Sequence, residues 1–167
     1  NGPASGPPVI PGATAADSAR GGMHAAIGIL TAVSARARTG KGQLVDVSTT
    51  DGIVNMMSPA IDEYLKTGVE PLRGRTLLSG QHAWYNIYET RDGKYVSVAP
   101  IEPHFYALLL EKLGLDPQQL PDQNDRSRWP ELRERFAEVF RSRSRDEWTQ
   151  LLEGSDVCFA PVLSIAE

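Results

Sequence analysis

The sequence has a single cysteine, Cys158, among its 167 residues. One cysteine cannot form a disulfide within the chain or supply a cysteine-based metal cluster, and this usage is typical of a reducing compartment. The sequence therefore predicts no disulfide framework. We interpret Cys158 as a small buried hydrophobic residue, because free cysteine is among the residue types most often buried.

The sequence also lacks an excess of positive charge and a long apolar run. It has 17 Lys and Arg residues against 21 Asp and Glu residues, for a net charge of -4. A broad nucleic-acid interface needs a basic excess, so we expect no nucleic-acid partner. A membrane span needs about 20 consecutive apolar residues, and the sequence has neither such a run nor a basic-then-apolar signal. We therefore expect a cytoplasmic protein with no membrane partner.

Sequence motifs for metal binding and for hydrolysis are missing as well. His24, His82 and His104 show no metal-ligand spacing with one another or with Cys158, which predicts no metal site. His82 could line a pocket, although a lone loop histidine is more often solvated. Nucleotide and serine hydrolysis lack support, because the sequence has neither a glycine-rich phosphate loop nor a nucleophile elbow.

The two ends of the sequence differ from those of a self-contained domain. Asn1–Gly12 is rich in Pro, Gly, Ala and Ser and cannot pack a core, which indicates a linker. Residue 1 is not Met, and Val162–Glu167 has the pattern of a strand passing into a helix. We expect the chain to be an internal piece of a longer protein.

Residues 1–67 have the pattern of the closing part of a Rossmann-like α/β domain. Met23–Arg38 has apolar residues at helical spacing and no proline, which predicts a tightly packed helix that ends near Gly40. Gln43–Ser48 alternates apolar and polar residues and predicts a strand, and Gly52–Thr67 predicts a second helix. Helix, strand and helix in this order are typical of the closing unit of a doubly wound sheet.

Residues 68–82 are predicted to be a linker to a small α+β domain at residues 83–167. Thr90–Gly93 separates two strand-like runs, and Asp-Gly favours the tight turn of a β-hairpin. The other predicted elements are helices at Pro103–Leu113 and Glu131–Arg141, a helix that begins at the capping box Ser144–Glu147 and ends near Glu153, and a strand at Val157–Leu163.

Asp17 is the first candidate catalytic residue. It precedes the first long helix, where a carboxylate is stabilised and free backbone N–H groups cluster. A helix-capping role suits Asp. A carboxylate nucleophile or proton carrier also suits it, with Gly21 and Gly22 able to approach a ligand closely. Spacing alone leaves both roles open.

Glu102 is the second candidate, because it stands where a predicted strand ends and a helix begins. Pro103 fits the first helical turn, so Glu102 occupies the N-cap or its neighbour. Glu is a poor N-cap, and sites often form at the carboxyl ends of strands in α/β proteins. An exposed first-turn acid favoured by the helix dipole is the alternative.

Two sets of motifs stand out, one in each half of the sequence. The first-half motifs are Pro7-Pro8, Ala16–Met23, Ala26–Leu30, Arg36–Gln43 and Val45–Ser48. The second-half motifs are Asp92–Val98, Ile101–Tyr106, Asn124–Arg126, Trp129–Glu131, Asp156–Cys158 and Pro161–Leu163. The first set resembles the family III CoA-transferases, and the second set resembles, within them, the α-methylacyl-CoA racemase branch. The resemblance thus covers nearly the whole chain.

The resemblance implies a Rossmann-like CoA-binding large domain, a small α+β domain and an interlocked homodimer. It implies an acyl-CoA substrate, with coenzyme A present only as part of that substrate and no other cofactor. Asp17 matches the catalytic aspartate, and Glu102 matches the glutamate that supports a catalytic histidine, which would precede Asn1. Gly21 and Gly22 become candidates for holding the enolate oxygen of the thioester, and Gly80 becomes a substrate-binding candidate.

Three functions follow as hypotheses. The first is an α-methylacyl-CoA racemase, which moves a proton at the carbon next to the thioester. The second is a family III CoA-transferase, because Gly80-Gln81 resembles the glycine loop that transferases close over their intermediate. The loop Leu78–Ala83 also departs from the Asp-Gly-Gly-Ala-Pro of racemases, and Asp17 lacks a following glycine run. The third is a non-catalytic oligomerisation or binding module.

Overall fold

The computed structural model describes residues 15–72, 74–76 and 78–167. Contacts between residues divide the chain into two units, residues 1–73 and residues 74–167. The division falls inside the segment predicted to be a linker, residues 68–82. The segment Asn1–Gly12, predicted to be linker-like, lies outside the described residues.

The first long helix of the first unit begins earlier than the sequence predicts. A π-helix, Ala15–Gly22, runs directly into α1, Met23–Thr39, because Gly22 itself has helical backbone angles. α1 ends at Gly40, whose φ of 68° is the left-handed C-cap conformation that glycine adopts without a steric penalty. The helix predicted at Met23–Arg38 is confirmed, with the π-helix as an N-terminal extension.

The strand predicted at Gln43–Ser48 is wrong, because this segment forms neither a strand nor a helix. A strand is held by hydrogen bonds to a neighbouring strand, and the sheet among the described residues is made of other segments. The segment instead packs against α1 at Gly28, where a Cβ atom would lie 2.7 Å from Cγ1 of Val45. Glycine at position 28 is what permits this close approach.

The single helix predicted at Gly52–Thr67 is two helices in the structure. α2 spans Thr49–Met56 and α3 spans Ser58–Thr67. Pro59 lies in the first turn of α3. A proline has no N–H to continue a helix, and its ring clashes with the carbonyl four residues earlier. Pro59 therefore accounts for the interruption at Met57.

The large hydrophobic side chains of the first unit are mostly exposed. Met23, Leu30 and Leu65 are 61%, 69% and 75% exposed. Among the residues of this unit whose exposure the structure describes, Gly52 alone is buried. The prediction of a tightly packed α1 is therefore wrong for the described part of the chain. Burial of an apolar helix face needs a second apolar surface, and the described residues of this unit do not provide one.

The second unit is built on a three-stranded antiparallel sheet in the order β1–β2–β3. β1 spans Asn86–Glu89, β2 spans Tyr95–Val98 and β3 spans Phe159–Val162. β1 and β2 form the hairpin that the sequence predicts at Thr90–Gly93, and β3 pairs with the other side of β2. Gly93 has a φ of 72°, as the tight turn requires.

Helices α4 (Pro103–Leu113), α5 (Trp129–Phe140) and α6 (Arg145–Leu152) complete the second unit. Their apolar sides and the inner face of the sheet form one core. The ring of Phe136 lies 6.1 Å from that of Tyr88 on the sheet. The fully buried large side chains of this core are Trp148, Phe136, Phe140, Leu109, Leu132, Leu152, Val96, Val98 and Val157. The second unit therefore has the hydrophobic core that the described part of the first unit lacks.

The start of α6 joins this helix to the hairpin. Ser144 and Glu147 form the predicted capping box, with both reciprocal hydrogen bonds present. The backbone N–H of Arg145 donates to Oδ1 of Asp92 in the hairpin turn at 3.1 Å. The hydrogen bond from the Thr90 hydroxyl, above all, holds the pKa of Asp92 below its usual range. The backbone N–H groups at the start of α6 are thus bonded both by the local capping box and by a residue from the hairpin.

The guanidinium of Arg145 is buried and bound to the carboxylate of Glu167. Its Nη1 donates to Oε2 at 3.0 Å and its Nη2 to Oε1 at 2.5 Å. Lys94 adds a third cationic contact at 3.2 Å, and the backbone N–H of Ser164 donates to the same carboxylate. These bonds hold the pKa of Glu167 far below its usual range, with the bonds from Arg145 as the largest cause. A buried cation is tolerated here because a carboxylate matches it.

Candidate active site

Asp17 lies in the first turn of the π-helix Ala15–Gly22, and its side chain is exposed. The sequence predicted Asp17 before a helix, whereas the structure places it within one. The N–H groups of a first helical turn have no acceptor inside the helix, and they favour a nearby carboxylate. π-helical turns are rare and are frequent at functional sites. The structure thus presents an accessible carboxylate at the N-terminal end of a helix.

Gly21 and Gly22 lie in the last turn of the same π-helix, with Gly21 partly buried and Gly22 exposed. In a π-helix each N–H group bonds to the carbonyl five residues earlier, which directs the N–H of Gly22 at the carbonyl of Asp17. A Cβ atom on Gly22 would lie 3.4 Å from that carbonyl oxygen. The two glycines therefore offer a surface without side chains in the last turn of this helix.

Glu102 is the N-cap of α4, with Pro103 as the first helical residue. Its backbone is extended, with φ at -72° and ψ at 141°, and its side chain is exposed. The carboxylate makes no capping hydrogen bond to the helix. The position predicted from sequence is confirmed, and the helix itself does not use the carboxylate.

Cys158 is exposed, so its prediction as a buried residue is wrong. Val157 is fully buried and Phe159 is partly buried, whereas Cys158 between them has a φ of 50°, a left-handed conformation that is uncommon outside glycine, and it directly precedes β3. Partial burial raises the pKa of the Cys158 thiol, and the negative charges of Glu102 and Asp156 raise it further. Glu102 and Cys158 thus belong to one electrostatic neighbourhood at the end of the sheet.

Gly80 lies in a turn before β1 and has a φ of 79°. The side chain of Asn86 holds this turn, since its Nδ2 donates to the carbonyl of Gly80 at 2.9 Å and to that of His82 at 3.4 Å. The guanidinium of Arg133 donates to the carbonyl of Gln81 between them. Side chains therefore bind three consecutive carbonyl groups of the turn.

His82 is buried, being only 6% exposed, so the solvated loop histidine favoured by the sequence analysis is wrong. Its ring centre lies 4.7 Å from that of Trp84 and 4.3 Å from that of Trp129. The two indole rings pack against the imidazole and exclude water from it. One of them, Trp129, comes from α5, far along the chain. The nearby Trp84 is a sequence signal for burial of His82, but Trp129 is brought against His82 only by the fold.

The predicted site residues divide between the two units. Asp17, Gly21 and Gly22 share the π-helix of the first unit, whereas Gly80 and Glu102 belong to the second. Nowhere in the described ranges do three or more His, Cys, Asp or Glu side chains form a group that could hold a metal ion. The helices of the described part include none that is long and apolar enough to cross a membrane.

Known sequences are similar to this chain over nearly its whole length. The profile of CoA-transferase family III matches residues 1–167. The chain is 40% identical over 152 residues to alpha-methylacyl-CoA racemase from Homo sapiens, and this match covers 91% of this chain and 40% of that protein. It is 25% identical over 169 residues to acetyl-CoA:oxalate CoA-transferase from Acetobacter aceti, and this match covers 97% of this chain and 42% of that protein. The chain thus spans less than half the length of these relatives.

Solved structures share the fold. A CaiB/BaiF family protein from Brucella suis matches 99% of this chain and 44% of its own, with a TM-score of 0.71 at 24% identity. A hypothetical protein from Mycobacterium tuberculosis matches 96% of this chain and 43% of its own, with a TM-score of 0.73 at 22% identity. The predicted mixed fold of helices and sheet is confirmed. With a family profile that matches from the first residue to the last, the chain belongs to CoA-transferase family III.

Proposed function

We propose that the complete gene product is an acyl-CoA enzyme that racemises the carbon next to the thioester, as an alpha-methylacyl-CoA racemase does. The observation that carries this proposal is the exposed carboxylate of Asp17 in the first turn of the π-helix, where the positive end of a helix favours a negative charge. Racemisation needs both a proton carrier and donors for a developing oxyanion. The 40% identity to relatives named as racemases, against 25% to a named transferase, favours racemisation.

In this mechanism, Asp17 takes the proton from the α-carbon as the electron pair of that bond moves toward the thioester carbonyl. The carbonyl oxygen gains negative charge, which the positive N-terminal end of the π-helix stabilises. A second proton carrier then delivers a proton to the opposite face of the planar enolate, which inverts the centre. By resemblance that second carrier is a histidine, supplied by residues before Asn1.

Glu102 orients this second carrier in our proposal. An exposed N-cap carboxylate that its helix does not bind is free to accept a hydrogen bond from an imidazole N–H. Gly21, Gly22 and Gly80 line the substrate, since residues without side chains let an acyl-CoA approach the backbone.

Replacing Glu102 with Gln is expected to lower the rate of α-proton exchange in the complete gene product by about tenfold or more. The loss should be smaller than for a residue that touches the substrate, because Glu102 acts by orienting a proton carrier. Exchange is measured by mass spectrometry across the pH range. Glu111→Gln is the matched control, because Glu111 is exposed on the same helix. Equal rates in the two variants would remove Glu102 from the mechanism.

CoA transfer is the second candidate function, and the Gly80 turn favours it. The turn combines a positive φ with carbonyl groups held by Asn86 and Arg133, which gives a glycine loop of defined shape. In a transferase, the carboxylate of Asp17 would attack the thioester carbonyl and release the CoA thiolate, leaving a mixed anhydride with the enzyme. CoA would then add to the aspartyl carbonyl, release the carboxylic acid and form an aspartyl thioester.

Incubation of the complete gene product with a 2-methylacyl-CoA in deuterated water separates the two functions. We expect deuterium at the α-carbon without any acceptor acid. Movement of CoA that depends on an added carboxylic acid, with a covalent aspartyl thioester, would instead establish the transferase. If the protein catalysed neither reaction, it would be a non-catalytic module and both enzymatic proposals would fail.

We also propose the assembly that the family resemblance implies. Residues 1–67 belong to a large CoA-binding domain, residues 83–167 form the small domain, and two chains interlock as a homodimer. Coenzyme A enters as part of the acyl-CoA substrate, and the protein works in the cytoplasm without a further cofactor. The exposed apolar faces of α1 and α3 support burial against other segments of such an assembly.

A further inference from the structure

The imidazole of His82 occupies an aromatic cluster formed by Trp84, Trp129 and Tyr106. The ring of Trp84 contacts that of His82 and lies 5.8 Å from the ring of Tyr106. Trp129 closes the cluster at 4.3 Å from His82 and 5.7 Å from Trp84. A titratable ring is thus held where two indole rings replace water, with Tyr106 packed behind Trp84.

The Nδ1 atom of His82 is buried and has no hydrogen-bond partner. In the neutral tautomer that carries its proton on Nε2, Nδ1 is an acceptor and no buried N–H is left without a partner there. A protonated ring would instead hold a buried N–H donor without an acceptor, at the full desolvation cost of a charged group. The hydroxyl of Tyr106, which packs against Trp84, is also buried and unpartnered, and burial raises its pKa to about 12, so it stays neutral.

The charged groups that act on the imidazole are both positive. Burial lowers the pKa of His82 below 6.5, and the guanidinium groups of Arg126 and Arg133 lower it further. Arg126, next to α5, also lies over the ring of Trp129, with 5.6 Å from its Cζ to the ring centre. A positive imidazole in this position would face two cations.

Arg133 connects the imidazole to the backbone of the turn that carries Gly80. Its guanidinium donates to the carbonyl of Gln81, next to His82 in the chain. Repulsion between Arg133 and a protonated His82 would therefore oppose a hydrogen bond that holds the turn. The bonds from Asn86 to Gly80 and His82 act on the same short segment.

We propose that His82 is a pH-operated latch for the turn formed by residues 79–82. The neutral ring seats between Trp84 and Trp129 and keeps the turn closed. Protonation ejects the ring to solvent and opens the turn. This inference concerns the conformation of the turn and does not depend on the reaction proposed above.

The direction of the pH effect follows from the two states of the ring. A released His82 titrates near 6.5, and a seated His82 titrates below that value. Above 6.5 the ring is neutral in both states, so the turn stays closed. Below 6.5 the released state binds a proton that the seated state does not, so the open population grows by up to ~10-fold per pH unit. The open population stops increasing once the pH falls below the pKa of the seated ring, because both states then bind the proton.

Hydrogen exchange of the backbone amides of residues 79–86 tests the latch in the unaltered 167-residue chain. The exchange rates, corrected for the intrinsic pH dependence of amide exchange, are compared between about pH 5 and about pH 8. The latch requires opening that increases below about pH 6.5, by up to ~10-fold per unit. Opening that is constant across this range would overturn it.

Two variants complete the test. His82→Phe keeps an aromatic ring but cannot be protonated, so its exchange should lose the pH dependence. His104→Gln removes an exposed histidine, and it should keep the pH dependence of the unaltered chain. An unchanged pH dependence in His82→Phe would overturn the proposal.

A titration of the His82 ring by NMR in the unaltered chain gives an answer even if His82→Phe does not fold. A midpoint below 6.5 that coincides with opening of the turn supports the latch. A midpoint at or above 6.5 contradicts it.

Discussion

Replacing Asp17 with Asn is expected to reduce α-proton exchange on a 2-methylacyl-CoA by ~10²–10⁴-fold in the complete gene product. The amide of Asn keeps the size and polarity of the side chain but cannot accept the proton from the α-carbon. Asp17 is exposed in the first turn of the π-helix, so the substitution removes no packing contact of a buried side chain. Exchange into substrate from deuterated water, followed by mass spectrometry, measures the loss.

Asp62→Asn is the matched control for this experiment. Asp62 is an exposed aspartate on α3 of the same unit, and its replacement also removes one negative charge. We expect its exchange rate to stay within about twofold of the unaltered enzyme, as general surface substitutions do. Normal exchange in Asp17→Asn would end the assignment of Asp17 as a proton carrier. A transferase mechanism would survive only if the same variant lost the covalent thioester.

Replacing Phe136 with Ala is expected to destabilise the second unit by ~3–5 kcal/mol. Phe136 is fully buried in α5, and its ring lies 6.1 Å from that of Tyr88 and 6.3 Å from that of Tyr106. Truncation removes these contacts and leaves a cavity between the sheet and two helices. A loss of this size is a large fraction of the stability of a typical domain.

Intrinsic tryptophan fluorescence during urea unfolding measures this loss selectively. All three tryptophans of the chain, Trp84, Trp129 and Trp148, lie in the second unit, so the signal reports on that unit alone. Leu151→Ala is the control, because Leu151 is partly exposed on α6 and its truncation should cost much less. If both variants unfolded at the same urea concentration, Phe136 would not be central to this core.

The elements predicted correctly from sequence are those whose signals are local. The helix at Pro103–Leu113 has the predicted bounds, because a proline at its start and Gly114 after its end limit it on both sides. The hairpin at Thr90–Gly93 and the capping box at Ser144 depend on residues a few positions apart. Pro59 is also a local signal, and it divides the single helix predicted at Gly52–Thr67 into α2 and α3.

The candidate site was predictable in part for the same reason. Asp17 and Glu102 were found at the starts of helices, and the structure places both carboxylates in the first turn or at the N-cap. The π-helical form of the first turn was not predictable, because it depends on how the helix starting at Ala15 continues into α1. The direction of the Gly22 N–H group therefore became known only from the structure.

The sequence by itself determined the family motifs, the helix starts that carry the two acids, and the tight turn of the hairpin. The tertiary structure alone decided that His82 is buried, that Cys158 is exposed and that Gln43–Ser48 forms no strand. The physical reason is the range of the interactions. Caps and turns act between residues close in sequence, whereas burial and strand pairing depend on which distant segments the fold brings alongside.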